Sequence, residues 1–321
     1  MATCALISHV MTLLPDSQHS QVLWSGCGHI YKFTYQDTLL VAKVATVPEQ
    51  LAHPHITQSQ HSLRRKYHSY QKELNFYQHR AQWYIDACPM PEVVVLAEQN
   101  AVFIVVFKDF ESQGYHNVSN ATPEHVAQML EWLARFHAIG LVRPVLTETE
   151  VQGNYWHLDT RPDEFARMAT GKLKQCASAI NQRLMACPFQ TLIHGDAKLA
   201  NFALSSQGVG VLGYDFQHIG KGVGVSDVML LLTSLYCSRE LQANVQICLD
   251  GYFAHLAQAL AGHWPVTKII ALEKSWRALW PFVWADFQRF LLGWKPDHQK
   301  LTPYMLHQSE LCLEQLSDVS C

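Results

Sequence analysis

The chain has 321 residues, 24 Lys and Arg against 27 Asp and Glu, and a formal net charge of −3. Apolar residues make up 49% of it, which is enough for a substantial core and excludes intrinsic disorder. The near-neutral net charge does not indicate a basic surface for nucleic acid. No apolar run reaches the roughly 18 residues of a membrane helix. We therefore expect neither nucleic acid nor a membrane as a partner. At about 150 residues per domain, the length predicts two domains or one large bilobal domain.

Strand patterns dominate the chain up to about residue 111. Aromatic residues alternate with polar ones over 29–35, which is typical of a strand with one buried face. The pattern predicts two hairpins and one helix, with strands over 29–35 and 39–44, the helix over about 60–80, and the second hairpin over 93–107. Residues 1–111 are thus predicted to form a β-rich lobe with one main helix.

Helical periodicity dominates after residue 111. Thr122 is a good N-cap, Pro123 suits the first helical position, and Gly140 is expected to end that helix. Further helices are predicted over about 161–186, 226–259, 266–292 and 302–317, with one β insertion over 191–214. Residues 112–321 are predicted to form a larger helical lobe, and the whole chain to be α+β.

The nine cysteines are scattered without a CxxC pair, and the 18 histidines lack the spacing of metal ligands. The segment from Met1 to Leu14 has no basic region of the kind that opens a secretory signal. We therefore expect reduced thiols in a cytoplasmic protein.

The most informative segment is the polar loop within 192–202. Asp196, Lys198 and Asn201 stand at positions n, n+2 and n+5, and Asp215 follows at the end of a predicted strand over 209–214. Phosphoryl transfer requires a carboxylate for the attacking hydroxyl, oxygen ligands for magnesium, and a cation for the moving phosphoryl group. One loop and the next strand end supply all three.

The sequence HGDAKLANF at 194–202, followed by Asp215-Phe216, resembles the catalytic loop and metal-binding aspartate of the protein-kinase-like superfamily. Gly195, in place of the arginine of protein kinases, points to the branch of aminoglycoside phosphotransferases and choline kinases. Within that branch, the block 194–227 is most similar to the ecdysteroid-kinase-like group. The resemblance covers residues 20–317 and implies a bilobal protein-kinase-like fold.

The resemblance also implies a role for each polar residue of the loop. Asp196 would be the catalytic base or hydroxyl-orienting group, and Lys198 would contact the γ-phosphate of ATP. Asn201 and Asp215 would bind Mg²⁺. An inert acidic loop, or a catalytically dead descendant of the family, is the alternative for the same residues.

The N-terminal lobe is expected to bind the nucleotide. Lys43 lies in an apolar returning strand, where a buried cation needs an anionic partner, and Glu73 on the following helix matches the position of that partner in the family. Gly26 and Gly28 form a short GxG segment whose backbone N–H groups could approach phosphates. The alternatives are a lysine that reaches solvent, an ordinary solvated glutamate, and a plain turn.

Three residues around the loop are expected to be structural. His194 is predicted to brace the loop, and His137 to be a hydrogen-bonded core residue. Asp227 stands at a predicted helix start, where it would stabilise the helix dipole. The family suggests that Asp227 also braces the catalytic loop.

The acceptor is expected to bind in the helical lobe. Trp276, Trp280, Trp284 and Phe287 recur on one face of a predicted helix, where they form either a core stripe or, with Asp286, an aromatic cage for a quaternary ammonium. The core stripe is the favoured interpretation. Sparse acidic residues argue against a polycationic aminoglycoside, and the aromatic residues favour a hydrophobic or amphipathic alcohol.

These patterns predict an ATP- and Mg²⁺-dependent kinase that phosphorylates a hydroxyl of a small molecule. The alternative is a nucleotide-binding pseudokinase or regulatory scaffold without turnover, which the short glycine segment would suit. A protein kinase is disfavoured because the chain lacks the arginine before Asp196 and an Ala-Pro-Glu segment after Asp215.

Overall fold

The computed structural model describes residues 2–13, 20–143 and 151–318. The chain divides into two compact units, Met1–Asn117 with Ala203–Gln217, and Val118–Phe202 with His218–Cys321. The ends of the N-terminal segment considered above, Met1 and Leu14, and the last cysteine, Cys321, lie outside the described residues. The functional division into a nucleotide-binding lobe, 1–111, and an acceptor-binding lobe, 112–321, stays a prediction.

The first unit is built on a five-stranded antiparallel sheet. Its strands are β1 (Ser20–Val22), β2 (Gly28–Tyr35), β3 (Thr38–Thr46), β4 (Val93–Gln99) and β5 (Val102–Lys108). They lie in the order β1-β2-β3-β5-β4. Two helices belong to this unit, α1 (Ala2–Leu13) and α2 (Gln60–His79). A small second sheet joins β6 (Tyr115–His116), β8 (Phe202–Ser205) and β9 (Val211–Gly213). Both predicted hairpins and the helix between them are therefore present.

Helix α1, which the sequence patterns did not predict, covers one face of this sheet. Leu6 and Val10 are buried in a core with Tyr31 of β2. The His9 ring lies 5.5 Å from the Phe33 ring on the same strand. The alternating aromatic residues of β2 are thus covered by a helix from the start of the chain.

The second unit is mostly helical. Its helices are α3 (Pro123–Val142), α4 (Pro162–Arg167), α5 (Lys172–Gln175), α6 (Ala177–Met185), α7 (Val225–Leu235), α8 (Ser238–Leu260), α9 (Val266–Ala278), α10 (Trp280–Trp294) and α11 (Pro303–Asp318). The strands β7 (Thr191–Ile193) and β10 (Gly220–Gly222) pair antiparallel beside them. Within the described ranges, no helix is long and apolar enough to cross a membrane.

Three predicted helices are divided in the structure. The segment 161–186 forms α4, α5 and α6, and Gly171 stands at the N-cap of α5. The segment 226–259 breaks before α8, where the Glu240 carboxylate accepts a hydrogen bond from the Cys237 backbone N–H at 2.8 Å. The segment 266–292 breaks at Leu279 because Pro281, in the first turn of α10, has no N–H to continue the preceding helix.

The prediction that Gly140 ends its helix was wrong, because α3 continues to Val142. The glycine is instead required by packing against β7. A Cβ atom at Gly140 would lie 2.4 Å from Thr191 Oγ1 and 2.8 Å from the Leu192 backbone nitrogen. The Thr191 hydroxyl also donates to the His137 carbonyl at 2.7 Å, so α3 and β7 are in direct contact.

We expect Gly140→Ala to lower the free energy of unfolding by about 1–3 kcal/mol, since the added methyl group overpacks the contact of α3 with β7. Gly251→Ala is the matched control, because Gly251 is also helical and a Cβ there meets nothing within 4 Å. That control should gain about 0.5–1 kcal/mol from helix propensity. Denaturant unfolding of both variants measures the difference, and equal stabilities would contradict the packing role.

Candidate active site

The catalytic-loop residues predicted from the sequence lie together in the second unit. The loop leaves β7 at Ile193 and ends in a short 3-10 turn over Leu199–Asn201. The buried carboxylate of Asp196 accepts hydrogen bonds through Oδ2 from Lys198 Nζ at 2.8 Å and from Asn201 Nδ2 at 3.0 Å. Asn201 Nδ2 also donates to the Asp196 carbonyl at 2.8 Å. The spacing n, n+2, n+5 thus places the Lys198 ammonium and the Asn201 amide around the Asp196 carboxylate.

The position of Gly195 admits no side chain. Its φ is +79°, and a Cβ there would lie 2.0 Å from the His218 carbonyl oxygen. His194, next to it, is fully buried and accepts a hydrogen bond from the Asp196 backbone N–H through Nδ1 at 3.3 Å. Glycine at this position is therefore a steric requirement of the loop.

Asp227, in the first turn of α7, holds the start of the catalytic loop. Its carboxylate accepts hydrogen bonds from the His194 N–H at 2.6 Å and from the Gly195 N–H at 2.9 Å. His137 Nε2 lies 3.0 Å from the same carboxylate, and His137 Nδ1 lies 2.8 Å from the Tyr252 hydroxyl. Asp227 is thus placed both to stabilise the helix dipole and to brace the loop.

We expect Asp227→Ala to lower the free energy of unfolding by about 3–5 kcal/mol, because two buried N–H groups and an imidazole lose their acceptor. Asp250→Ala is the control, since Asp250 is an exposed carboxylate paired with Arg277 and should contribute less than about 1 kcal/mol. Denaturant unfolding measures both. A stability of Asp227→Ala equal to that of Asp250→Ala would contradict the bracing role.

The second group of predicted residues lies in the first unit, around Lys43 on β3. Lys43 Nζ lies 2.8 Å from Glu73 Oε2 on α2 and 2.8 Å from Asp215 Oδ1. Lys43 and Glu73 are 8% and 2% exposed, so this ion pair is almost fully withdrawn from solvent. Burial disfavours the cation, but the Asp215 and Glu73 carboxylates hold the pKa of Lys43 above its usual value. The lysine is therefore charged at neutral pH.

Asp215 has an unusual backbone conformation. Its φ is +69°, in the left-handed region that few residues other than glycine adopt, although aspartate tolerates it. The following residue, Phe216, is fully buried, and its ring lies 4.4 Å from the Phe76 ring of α2. A strained backbone beside a buried anchor holds the Asp215 carboxylate in place.

Gln217 is a site residue that sequence reasoning missed. Its Nε2 donates to Asp215 Oδ1 at 2.7 Å, and its Oε1 accepts from Lys66 Nζ at 3.2 Å and from Ser69 Oγ at 3.4 Å. The side chain therefore connects Asp215 to α2. The available signal was the spacing, because Gln217 stands two residues after Asp215.

The GxG segment forms a tight turn before β2. Gly26 and Gly28 have φ values of +70° and +130°, and a Cβ at Gly28 would lie 2.0 Å from the Val44 carbonyl oxygen. The Gly26 N–H donates to the Leu23 carbonyl at 3.1 Å, within the turn itself. Backbone geometry thus accounts for both glycines, and contact of the segment with phosphate stays a prediction.

The aromatic stripe is part of the core of the second unit. Trp276 belongs to α9, whereas Trp280, Trp284 and Phe287 belong to α10, and all four are buried. Asp286 Oδ1 accepts from Arg289 Nε at 3.0 Å, and Arg289 is fully buried. The carboxylate of the alternative cage is therefore already paired, which supports the favoured core interpretation.

Two of the predicted residues offer oxygen atoms of the kind that Mg²⁺ prefers. Asn201 donates through its amide nitrogen to Asp196, which leaves Oδ1 as its acceptor atom. The Asp215 side chain is 28% exposed. Among the described residues, no group of three or more His, Cys, Asp or Glu side chains could hold a metal ion by itself. A magnesium ion bound at either residue would need further ligands from phosphates and water.

The loop of Asp196 with Lys198 and Asn201, and the buried Lys43–Glu73 pair in contact with Asp215, are the two groups of residues that the family resemblance predicted. The chain belongs to the phosphotransferase enzyme family (APH), whose family model matches residues 59–270, about two thirds of the chain. That match includes the catalytic loop and Glu73 but begins after Lys43 and the GxG segment.

Two solved structures of low sequence identity share this fold with a TM-score of 0.50. A microcompartment-associated aminopropanol kinase is 15% identical, with 98% of both chains covered and a TM-score of 0.50. A choline kinase from Cryptosporidium parvum Iowa II is 10% identical, with 99% of this chain and 96% of that chain covered and a TM-score of 0.50. An aminoglycoside-3'-phosphotransferase of type VIII is 16% identical, with 85% and 98% covered and a TM-score of 0.47. No curated protein matches the chain significantly.

The predicted α+β, protein-kinase-like fold and the branch of aminoglycoside phosphotransferases and choline kinases are confirmed. The closer similarity to the ecdysteroid-kinase-like group stays a prediction.

Proposed function

We propose that the protein is an ATP- and Mg²⁺-dependent phosphotransferase that moves the γ-phosphate to a hydroxyl of a small molecule. The observation that carries this proposal is the buried Asp196 carboxylate, fixed by Lys198 and Asn201 on a loop that Asp227 braces. In the reaction, the acceptor oxygen forms a bond to the γ-phosphorus while the bond from that phosphorus to the ADP oxygen breaks. The hydroxyl proton passes to Asp196 and then to solvent.

Asp196 is suited to orient the hydroxyl and accept its proton. The two hydrogen bonds to Oδ2 restrict rotation of the carboxylate, so its position is set before a substrate arrives. A base positioned in this way contributes about 10²–10⁴-fold to turnover. Lys198, which is 39% exposed at its side chain, would place a cation on the moving phosphoryl group.

Lys43 is suited to bind nucleotide phosphates, because Glu73 fixes its buried ammonium in one position. Asn201 and Asp215 would supply oxygen ligands to Mg²⁺, and the ion would neutralise charge on the phosphates. Two further residues hold the Asp215 carboxylate in position. Gln217 holds Asp215, and Phe216 anchors it to α2.

The proposed acceptor is a hydrophobic or amphipathic alcohol. Near Asp196, the Tyr155 ring lies 5.5 Å from the His218 ring and 5.6 Å from the Phe290 ring. Burial, and secondarily the charge of Asp196, raise the pKa of the Tyr155 hydroxyl, which therefore stays neutral. Aromatic surfaces of this kind suit an acceptor with an apolar part. We propose a cytoplasmic location and neither nucleic acid nor a membrane as a partner.

The dependence on Mg²⁺ can be tested by equilibrium binding. Titration calorimetry with ATP, with and without Mg²⁺, should show tighter binding when Mg²⁺ is present. Asp215→Ala should lose most of this difference, whereas the exposed control Asp250→Ala should keep it. Equal ATP affinity in both conditions for the unmodified protein would contradict a magnesium-dependent site.

A nucleotide-binding scaffold without turnover is the second candidate. The observation that favours it is the Gly26 N–H, which donates within the turn to Leu23. Transfer to an acceptor separates the two functions, because only the kinase forms a phosphorylated product.

A further inference from the structure

Lys300 is a partly buried cation in the segment between α10 and α11. Its Nζ donates to Thr233 Oγ1 of α7 at 3.2 Å and lies 5.7 Å from the centre of the Phe287 ring of α10. The backbone N–H of Lys300 donates to His298 Nδ1 at 3.0 Å. Contacts with α7, with α10 and within its own segment therefore fix the orientation of the Lys300 side chain.

These contacts bring Lys300 close to the catalytic loop. Thr233 is followed by Ser234, whose hydroxyl accepts a hydrogen bond from the Leu199 N–H at 2.9 Å. Leu199 directly follows Lys198 in that loop. Lys300 also interacts electrostatically with Asp196, which favours its charge, and with Lys198, which opposes it.

Lys300 has no counter-ion in the described part of the chain. Its hydrogen-bond partner there is the neutral hydroxyl of Thr233, and no carboxylate forms an ion pair with it. The other buried cations of this unit are paired, Arg161 with Glu164 at 3.1 Å and Arg289 with Asp286 at 2.9 Å. A partly buried ammonium that forms no ion pair would be stabilised by an external anion.

We infer that Lys300 binds an anionic group of the acceptor, a carboxylate or a phosphate, so that the substrate is an alcohol that also carries a negative charge. This inference rests on the proposed function and narrows its acceptor. Tyr155, whose ring packs on the buried Phe287 ring at 6.4 Å, would contact the apolar part of the same molecule. Amino alcohols and quaternary ammonium compounds would meet repulsion from Lys300 and Lys198.

The test uses acceptors that share carbon skeletons and differ in charge. The protein with MgATP is incubated with alcohols that carry a carboxylate, a phosphate, no charge or an amine, and mass spectrometry detects phosphorylated products. We expect products from the carboxylate or the phosphate arm, and the arm that reacts identifies the anion. Products confined to the neutral or amine arms would overturn the inference and leave the kinase proposal standing. No product in any arm, with ATP bound, would overturn both.

Variants of Lys300 show whether this residue binds the acceptor or only stabilises the fold. For the acceptor found in that screen, we expect Lys300→Met to raise KM about 10–100-fold with kcat changed less than about threefold. Lys300→Arg should restore most of the affinity. Lys295→Met, in the same segment, is the matched control and should leave KM unchanged. An unchanged KM in Lys300→Met would overturn the inference, as would an equal rise for neutral and anionic acceptors.

The pH dependence of kcat/KM for the anionic acceptor tests the same inference. Burial lowers the pKa of Lys300 to about 8, against the opposing effect of Asp196. The cation is therefore present below about pH 8 and lost above it, so kcat/KM for the anionic acceptor should fall as pH rises through that value. Lys300→Arg should keep kcat/KM high beyond that pH, and a wild-type profile that is flat from pH 7 to 9 would count against the inference. The groups that face Lys300 are Asp196 and Lys198 of the catalytic loop, Thr233 of α7, Phe287 of α10, and His298 of its own segment.

Discussion

Replacing Asp196 with alanine is expected to lower turnover by at least about 100-fold, within the range for a positioned general base. The variant loses the carboxylate that would orient the acceptor hydroxyl and take its proton. It also releases Lys198 and Asn201, which both donate to Asp196 Oδ2. Initial rates of product formation under saturating MgATP measure the effect.

The affinity of Asp196→Ala for ATP shows whether the substitution slows phosphoryl transfer without weakening nucleotide binding. We expect the variant to bind MgATP within about threefold of the unmodified protein, because Lys43 and Glu73 are untouched. Asp250→Ala, which removes an exposed carboxylate, should leave both turnover and binding unchanged. Near-normal turnover in Asp196→Ala would remove Asp196 from the mechanism.

Replacing Lys43 with methionine is expected to lower the free energy of unfolding by about 3–5 kcal/mol. The variant leaves the Glu73 carboxylate, which is 2% exposed, without the ammonium that lies 2.8 Å from it. Denaturant unfolding measures the loss. ATP binding should weaken at least about tenfold in the same variant, because the proposed phosphate-binding cation is gone.

A second substitution distinguishes the ion pair from general damage to β3. Adding Glu73→Gln to Lys43→Met should recover about half or more of the lost stability, since the buried charge of Glu73 is then removed. ATP binding should stay weak in the double variant. Lys108→Met, which removes an exposed ion pair with Glu92, is the control and should change stability by less than about 1 kcal/mol. If Lys43→Met were as stable as Lys108→Met, the Lys43–Glu73 ion pair would not have the proposed stabilising role.

The sequence predicted those parts of the candidate site whose geometry is local. Asp196, Lys198 and Asn201 share one short loop, so their spacing alone brings them together. The contact of Lys43 with Glu73 spans 30 positions, and it was expected only because the family resemblance supplied the pairing. The contacts of Gln217 with Lys66 and of Lys300 with Thr233 span 151 and 67 positions, and the family resemblance supplied neither pairing.

In the fold, too, the elements set by local sequence patterns were predicted, and the features that depend on distant contacts were missed. The first hairpin was predictable because alternation in β2 and an apolar β3 are local patterns. Helix α1 was not predicted, since its stability depends on packing of Leu6 and Val10 against a sheet formed later in the chain. Gly140 was interpreted as a helix end because glycine is a poor helix former. Its actual cause is the close approach of Thr191, which lies 51 residues further along the chain.

We propose that Asp196 catalyses phosphoryl transfer to a small-molecule hydroxyl. The most direct measurement is mass-spectrometric detection of phosphorylated products from a pool of alcohols, with MgATP and either the unmodified protein or Asp196→Ala. We expect the unmodified protein to form a product that carries one added phosphate, and the variant to form it at least about 100-fold more slowly. Magnesium-dependent ATP binding with no product from any alcohol, or a product formed equally by both proteins, would contradict this proposal.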